Sequence, residues 1–209
     1  MTKESPARRG RPRDPERMRR VIEAAAQQFL EHGYDRASMD AVAQASGVSK
    51  MTLYNYFPSK EMLFEACVTS RTERMFEGFT QSPLDPTRTE ESLRLIARQF
   101  LALMRADDVL QIHRTLFGIA SSQPEVCERF FNAGPQRVRK LVRAYLMTAI
   151  QAGELMIDDV PTATDQFLAL LLGTPHLRAM LGMGTPTPEE DEALISANVA
   201  LFMASYRRH

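Results

Sequence analysis

The sequence predicts an all-α protein, with a compact N-terminal unit of three helices leading into a larger helical body. Three observations predict it. Nearly every segment with a clear hydrophobic period repeats at three- and four-residue steps, and no stretch alternates convincingly as a strand does. Capping residues precede these segments, and glycine or proline follows them. The 44% hydrophobic content over 209 residues suits one or two ordinary globular domains with a sizeable core.

Residues 1–13, "MTKESPARRGRPR", have almost nothing to bury and read as a flexible basic arm. Asp14 caps the first helix, with Pro15 in its first turn. Met18, Ile22, Ala25 and Phe29 make its buried stripe, and Gly33 ends it. Ser38 caps a short second helix, "MDAVAQAS", which stops at Gly47. Ser49 caps a third helix of barely two turns, stopped by Pro58, and Ser59 opens a long fourth. After a polar connection at 81–90, helices are expected near 90–105, 109–121, 125–133, 136–153, 162–181 and 189–206. The expected divisions are the arm at 1–13, a three-helix head at 14–60 and a body at 61–209.

The third helix is unusual. On a helical wheel Leu53 and Phe57 lie together and anchor it inward, while Met51, Thr52 and Asn55 face away. Tyr54 and Tyr56 flank that outer face, and Lys50 projects from the N-terminal end. Two short helices joined at a glycine turn are the outline of a helix-turn-helix module, whose second helix enters the major groove of DNA. In that setting Lys50, Met51, Thr52 and Asn55 reach base edges. Ser38, Tyr54, Tyr56 and Lys60 reach the phosphate walls, Lys60 as a point charge.

Charge distribution agrees with this reading. The chain is neutral overall, with 26 basic and 26 acidic residues, but residues 1–60 hold 11 of the former and 7 of the latter. A basic head on an acidic body suggests that the head alone meets a polyanion.

Residues 16–64 also resemble the DNA-binding domain of TetR/AcrR-type bacterial transcriptional regulators. The most specific part is "GVSKMTLYNYFPSKEMLF" at 47–64, which fits the pattern GVS-x-x-TLY-x-YF-x-SKE-x-LF. The resemblance places Ser38, Lys50, Met51, Thr52, Tyr54, Tyr56 and Lys60 at DNA-contacting positions, and Gly33, Gly47, Leu53 and Phe57 at structural ones. Met51 occupies a position that varies between members, so no operator sequence carries over. The body is more weakly similar to the AefR-like subgroup, through "FFNAGPQ", "AGEL" and "ATDQFLALLLG". The resemblance implies a homodimer built mainly by the last two helices, and a small-molecule effector among the central ones.

Read by itself, the helix at 162–181 is apolar around much of its circumference, so either its own domain or a second subunit covers it on more than one side. A palindromic site requires two copies, which favours a dimer. Phe100, Met104, Phe117, Phe130, Phe131, Tyr145 and Phe167 form an aromatic and Met-rich interior that is either core or pocket wall. His113 shares the stripe of Val109, Leu116 and Phe117 and faces inward, as a satisfied core histidine or as the polar group of an apolar pocket. His176 fits a dimer seam equally well. The expected effector is largely apolar.

The sequence has no GxSxG elbow, phosphate loop, dinucleotide fingerprint or HExxH motif, which argues against an enzyme, and no cofactor is implied. Its histidines and its two cysteines, Cys67 and Cys127, lack metal-ligand spacing. The cysteines read as free thiols of a reducing compartment. The run FLALLL at 167–172 is too short to cross a bilayer, and no apolar segment follows the N-terminal arginines. A cytoplasmic location is expected, without membrane contact. The function expected is a DNA-binding regulator: a repressor that dimerises on a palindromic operator of double-stranded DNA and is released by an effector. Two alternatives stay open, an all-α protein–protein interaction module with a non-DNA-binding head, and an effector-independent or activating regulator.

Overall fold

The computed structural model of the chain describes residues 14–81 and 83–208, so the arm expected at 1–13 lies outside the described residues. Ten helices follow one another in this region: α1 (Pro15–Arg36), α2 (Met39–Ser46), α3 (Lys50–Tyr56), α4 (Lys60–Gln81), α5 (Thr89–Arg105), α6 (Asp107–Ile119), α7 (Pro124–Ala133), α8 (Pro135–Gln151), α9 (Val160–Met180) and α10 (Pro188–Tyr206). No strand occurs among the described residues; Leu155 and Arg207 alone form an isolated bridge.

The head is built by local chemistry. The Asp14 carboxylate accepts from the amides of Glu16 and Arg17, which starts α1. Gly33 does not end that helix cleanly. It adopts φ 73° and ψ 172°, kinking the chain before a last turn that runs to Arg36. Ser38 Oγ accepts from Ala41 N at 3.1 Å, and Ser49 Oγ from Thr52 N at 3.2 Å, so each short helix has its cap. Between them, the Gly47 amide donates to Gln44 O and the Val48 amide to Ala43 O, with Gly47 at φ 69°. This Schellman closure needs a left-handed residue, and glycine alone takes that conformation at little cost. Pro58 then holds Phe57 extended, at φ −133°, and α3 stops.

Two apolar clusters hold the molecule. The first packs Val21, Ala25, Phe29 and Tyr34 of α1 with Val42, Leu53 and Phe57, and with Leu63, Phe64, Cys67 and Val68 of α4. It also takes in Leu116 and Ile119 of α6 and Val126 and Ala133 of α7. The head's core therefore runs past residue 60, where the sequence suggested a boundary, and continues into the body without a gap. The second cluster joins α5, α8, α9 and α10 through residues such as Ile96, Val142, Tyr145, Phe167, Leu171, Val199 and Phe202. Helix α4 belongs to both, contributing Met75 to the second. Exposed ion pairs Glu65–Arg129 and Glu73–Arg137, each 2.9 Å, tie it to α7 and α8.

Helix α9 is broken by Gly173, at φ 46° and ψ −156°, two residues before Pro175. The break swings its final segment toward α6, where Arg114 donates to the carbonyls of Ala179 and Met180. No helix of the described residues is long and apolar enough to cross a membrane.

Candidate nucleic-acid interface and body cavity

Helix α3 has the two-sided character its sequence suggests. Leu53 is fully buried and Phe57 nearly so, whereas Met51 is 76% exposed. Tyr54, Asn55 and Lys50 are exposed beside it, and Thr52 is half-buried. An exposed methionine of that degree, on a helix otherwise held down by its neighbours, marks a face without an intramolecular partner. Lys50 Nζ rests 2.6 Å from Asp40 Oδ2 of α2, an exposed pair that is weak and easily redirected. The Thr52 hydroxyl lies 2.9 Å from Ser49 Oγ, so it is preoriented by the cap. Ser38 is exposed at the start of α2.

Tyr56 and Lys60 differ from the sequence expectation. Tyr56 is half-buried against the head cluster and its hydroxyl accepts from Asp14 N at 3.3 Å, so of the two tyrosines only Tyr54 stands clear of the surface. Lys60 turns inward. Its ammonium donates to Tyr34 O at 2.9 Å, Asp35 O at 3.1 Å and Ala37 O at 3.4 Å, and lies 4.5 Å from the Tyr34 ring centroid. All three ammonium hydrogens are engaged by the end of α1, because that end leaves carbonyls without helical partners. The adjacent Glu61 accepts from the Tyr34 hydroxyl at 3.1 Å. Burial first, and Glu61 second, push the Tyr34 phenol well above its ordinary range.

In the body, α4, α5, α6, α7, α8 and α9 surround a cavity of about 580 Å³. Phe100, Met104, His113 and Phe117 line it, as do Phe130, Phe131 and His176. Two residues expected on this wall are not there. Tyr145 is buried in the second cluster with its hydroxyl donating to Asp85 O at 3.2 Å, and Phe167 packs edge-on against Phe202 at 5.3 Å. Both are core. Phe117 sits at the mouth, 76% exposed.

The polar groups of the cavity are few. His113 meets Phe130 edge-on at 5.3 Å and His176 edge-on at 6.0 Å, and makes no hydrogen bond with the described residues. Burial, reinforced by His176, pushes its pKa down to about 4. Burial and then Arg105 lower that of His176 as well. Arg71, Thr72, Arg139 and Asp165 complete the set; Arg71 Nη2 donates to Asp108 Oδ1 at 3.0 Å, the Thr72 hydroxyl donates to Val68 O at 2.9 Å, and Arg139 holds Asp165 through Nε at 2.6 Å and Nη2 at 2.8 Å. Among the described residues no group of three or more His, Cys, Asp or Glu is placed to hold a metal ion.

Residues 21–67 match the family described as bacterial regulatory proteins, tetR family, and residues 91–208 match the AefR-like transcriptional repressor, C-terminal domain. The chain belongs to the TetR family. Among curated proteins it is 34% identical over 106 residues to the HTH-type transcriptional activator FasR of Mycolicibacterium smegmatis, a match covering 51% of this chain and 47% of FasR. The chain thus spans about half the length of that relative. Among solved structures it resembles a TetR-family regulator from Mesorhizobium loti with a TM-score of 0.79 and 25% identity, covering 95% of this chain and all of that one. The flavonoid-responsive regulator FrrA gives a TM-score of 0.76 and 33% identity, covering 94% of this chain and all of that one. This TetR-family protein is therefore a transcriptional regulator with a helix-turn-helix DNA-binding head, and not an enzyme.

Sequence reasoning left Arg71, Arg139 and Thr72 out of the TetR-family body's cavity. A signal existed for Arg71, which lies three residues after Val68 and four before Met75, on the inward face of α4. Its neutralisation by Asp108, 37 positions away, had none.

Proposed function

We propose that this protein is a homodimeric repressor that binds a palindromic operator through α3 and is released when a small, largely apolar effector fills the body cavity. One observation carries the reading. The exposed face of α3, anchored by Leu53 and Phe57, belongs to a head whose core shares Val68 and Leu116 with the cavity wall. Lys50, Met51, Thr52 and Asn55 would read bases, and Ser38 and Tyr54 would hold phosphates, with Tyr56 at the edge of that contact. Lys60 is assigned instead to holding the head together.

Dimerisation is supported by α9 and α10, which leave Leu170, Leu177 and Leu201 roughly half exposed on helices otherwise packed into the core. A second copy would cover such leucines. Response to a small molecule is supported by the cavity, and by FrrA, which is named flavonoid-responsive. The effector must bind one arrangement of the body better than the other, since equal affinity shifts nothing.

The test is selection of duplexes from a random pool with the full-length protein, followed by footprinting. A two-fold site with half-sites about one helical turn apart, or a multiple of it, is expected. Protection of a single half-site, or no enrichment, would refute the dimeric reading. A second reading, activation, is favoured by the name of FasR as an activator. Deleting the gene separates them: target expression rises for a repressor and falls for an activator.

A further inference from the structure

The proposal concerns what the body cavity selects, and rests on the reading of that cavity as an effector site. The wall is apolar and strongly aromatic, with Phe100, Phe117, Phe130 and Phe131 contributing rings. Aromatic ligands gain offset and edge contacts there beyond area burial. Its two guanidinium groups are each gripped by a carboxylate of the protein, Arg71 by Asp108 and Arg139 by Asp165. Arg71 Nε, 3.0 Å from Asp108 Oδ2, is buried without a hydrogen-bond partner among the described residues. An entering anion therefore meets one unpaired N–H but no cation whose charge is not already balanced by a carboxylate, and regains little of its lost hydration.

Thr72 spends its hydroxyl hydrogen on Val68 O at 2.9 Å and Asp165 is paired with Arg139, so the two histidines supply the remaining polarity. Arg105 Nη1 lies 3.4 Å from His176 Nδ1, and a guanidinium can only donate. Nδ1 is then the unprotonated nitrogen, and the neutral ring carries its hydrogen on Nε2. Arg105 is itself fixed by Asp191 of α10 at 3.1 Å, with both side chains largely buried, so His176 is held in that tautomer by a fixed partner. His113, edge-on to His176 and without a hydrogen bond of its own, offers one donor and one acceptor as a neutral imidazole. A fixed donor beside a free donor–acceptor suits a group that can both give and accept a hydrogen bond.

We infer that the effector is an uncharged aromatic molecule bearing a hydroxyl, of phenol type, whose rings lie among the phenylalanines while the hydroxyl pairs with His113 and His176. A carboxylate on the same ring system is rejected, because the charge of each lining arginine is already balanced by a carboxylate, Asp165 itself lines the cavity, and the histidines are uncharged. The hydroxyl discriminates because a bound ring without one leaves an imidazole unpaired in the cavity.

Three probes of one ring system test this: 2-naphthol, naphthalene and 2-naphthoate, each titrated calorimetrically into the full-length wild-type protein. We expect 2-naphthol to bind at least about tenfold more tightly than naphthalene, and 2-naphthoate to bind more weakly than either. In His113→Phe the advantage of 2-naphthol over naphthalene disappears while naphthalene still binds. Equal binding of naphthol and naphthalene to the wild type overturns the hydroxyl inference and leaves the effector cavity standing. Tightest binding of naphthoate overturns it by charge. If none of the three binds, the cavity reading itself fails. The wild-type series decides the matter even if the variant does not fold.

Discussion

Lys60→Met is the substitution that most sharply separates structural from DNA-contacting roles in the head. Methionine keeps the apolar stem but removes the ammonium that reaches three carbonyls at the end of α1 and covers the Tyr34 ring. A charged hydrogen bond contributes about 1.5–3 kcal/mol, and a cation over an aromatic face about 0.5–1 kcal/mol at a partly exposed site. Asp35 is exposed, so water can reach part of the freed carbonyl group and temper the loss. A net destabilisation of about 2–3 kcal/mol follows. For a chain of this length that lowers the melting temperature by roughly 5–10 °C.

The assay is thermal and urea unfolding by circular dichroism at one fixed protein concentration, which holds the proposed self-association constant. It is paired with DNA binding by fluorescence anisotropy at several salt concentrations, below the melting temperature. If Lys60 of each protomer held a phosphate in the proposed dimer, losing both would reduce the slope of log K against log salt by about 1.8. We expect a lower melting temperature and an unchanged salt slope. An unchanged melting temperature with a slope shallower by about two units would refute the assignment and return Lys60 to the DNA.

Further outcomes follow from the same geometry. Gly47→Ala meets no atom within 4 Å, so its cost is purely the left-handed backbone at φ 69°, about 1 kcal/mol by urea titration; a loss of several kcal/mol would point to a steric cause instead. Leu201→Glu, on the exposed face of α10, should shift the protein from dimer to monomer in sedimentation equilibrium while leaving its helicity intact; an unchanged mass would place the interface elsewhere. His113 has a pKa of about 4 in the folded chain against 6.5 unfolded. Between these values the unfolded chain takes up the proton and the folded one does not, so this contribution is complete above pH 6.5 and is lost as pH falls toward 4. Stability should fall by up to about 1.4 kcal/mol per pH unit, roughly 3 kcal/mol in all, and His176 acts in the same direction. In His113→Phe the urea midpoint between about pH 7 and pH 4.5 should be flatter; an identical decline would exclude His113 as its source.

The head was readable because its determinants are local. Asp14, Ser38 and Ser49 satisfy amides two or three residues on, and Gly47 supplies a conformation that its own position demands. The wheel of α3 likewise uses only neighbours, so Leu53 and Phe57 separate from Met51 and Asn55 on paper as they do in space. The inward contacts of Lys60 had no local signal, because its partners Tyr34, Asp35 and Ala37 are brought to it by the kink at Gly33 and the packing of α1 on α4. The cavity was legible in part, through Phe100, Met104, His113 and Phe117, and Tyr145 and Phe167 were misplaced for a different reason. Periodicity identifies the inward side of a helix but not whether that side meets a void or another side chain. Phe100 and Phe167 are equivalent in pattern, yet one lines the cavity and the other packs on Phe202. His176 reaches the cavity on the segment that follows the break at Gly173, a turn whose direction no local pattern encodes.

On the proposed effector reading, the distance between cavity and head is short. Val68, Leu116, Cys127 and Phe130 line the cavity and also pack in or against the cluster that holds Leu53 and Phe57 in place. A ligand that enlarges the space between α4, α6 and α7 therefore pushes on the head's own core, without a long chain of intermediates. Close-packed interiors absorb such displacement by moving whole elements, not by local compression. Carrying a two-state equilibrium from 1:99 to 99:1 requires about 5.5 kcal/mol of differential binding. At about 25 cal/mol per Å², that corresponds to roughly 220 Å² of apolar surface buried in one arrangement and left wet in the other. The exposed Phe117 at the mouth is the residue best placed to make that difference.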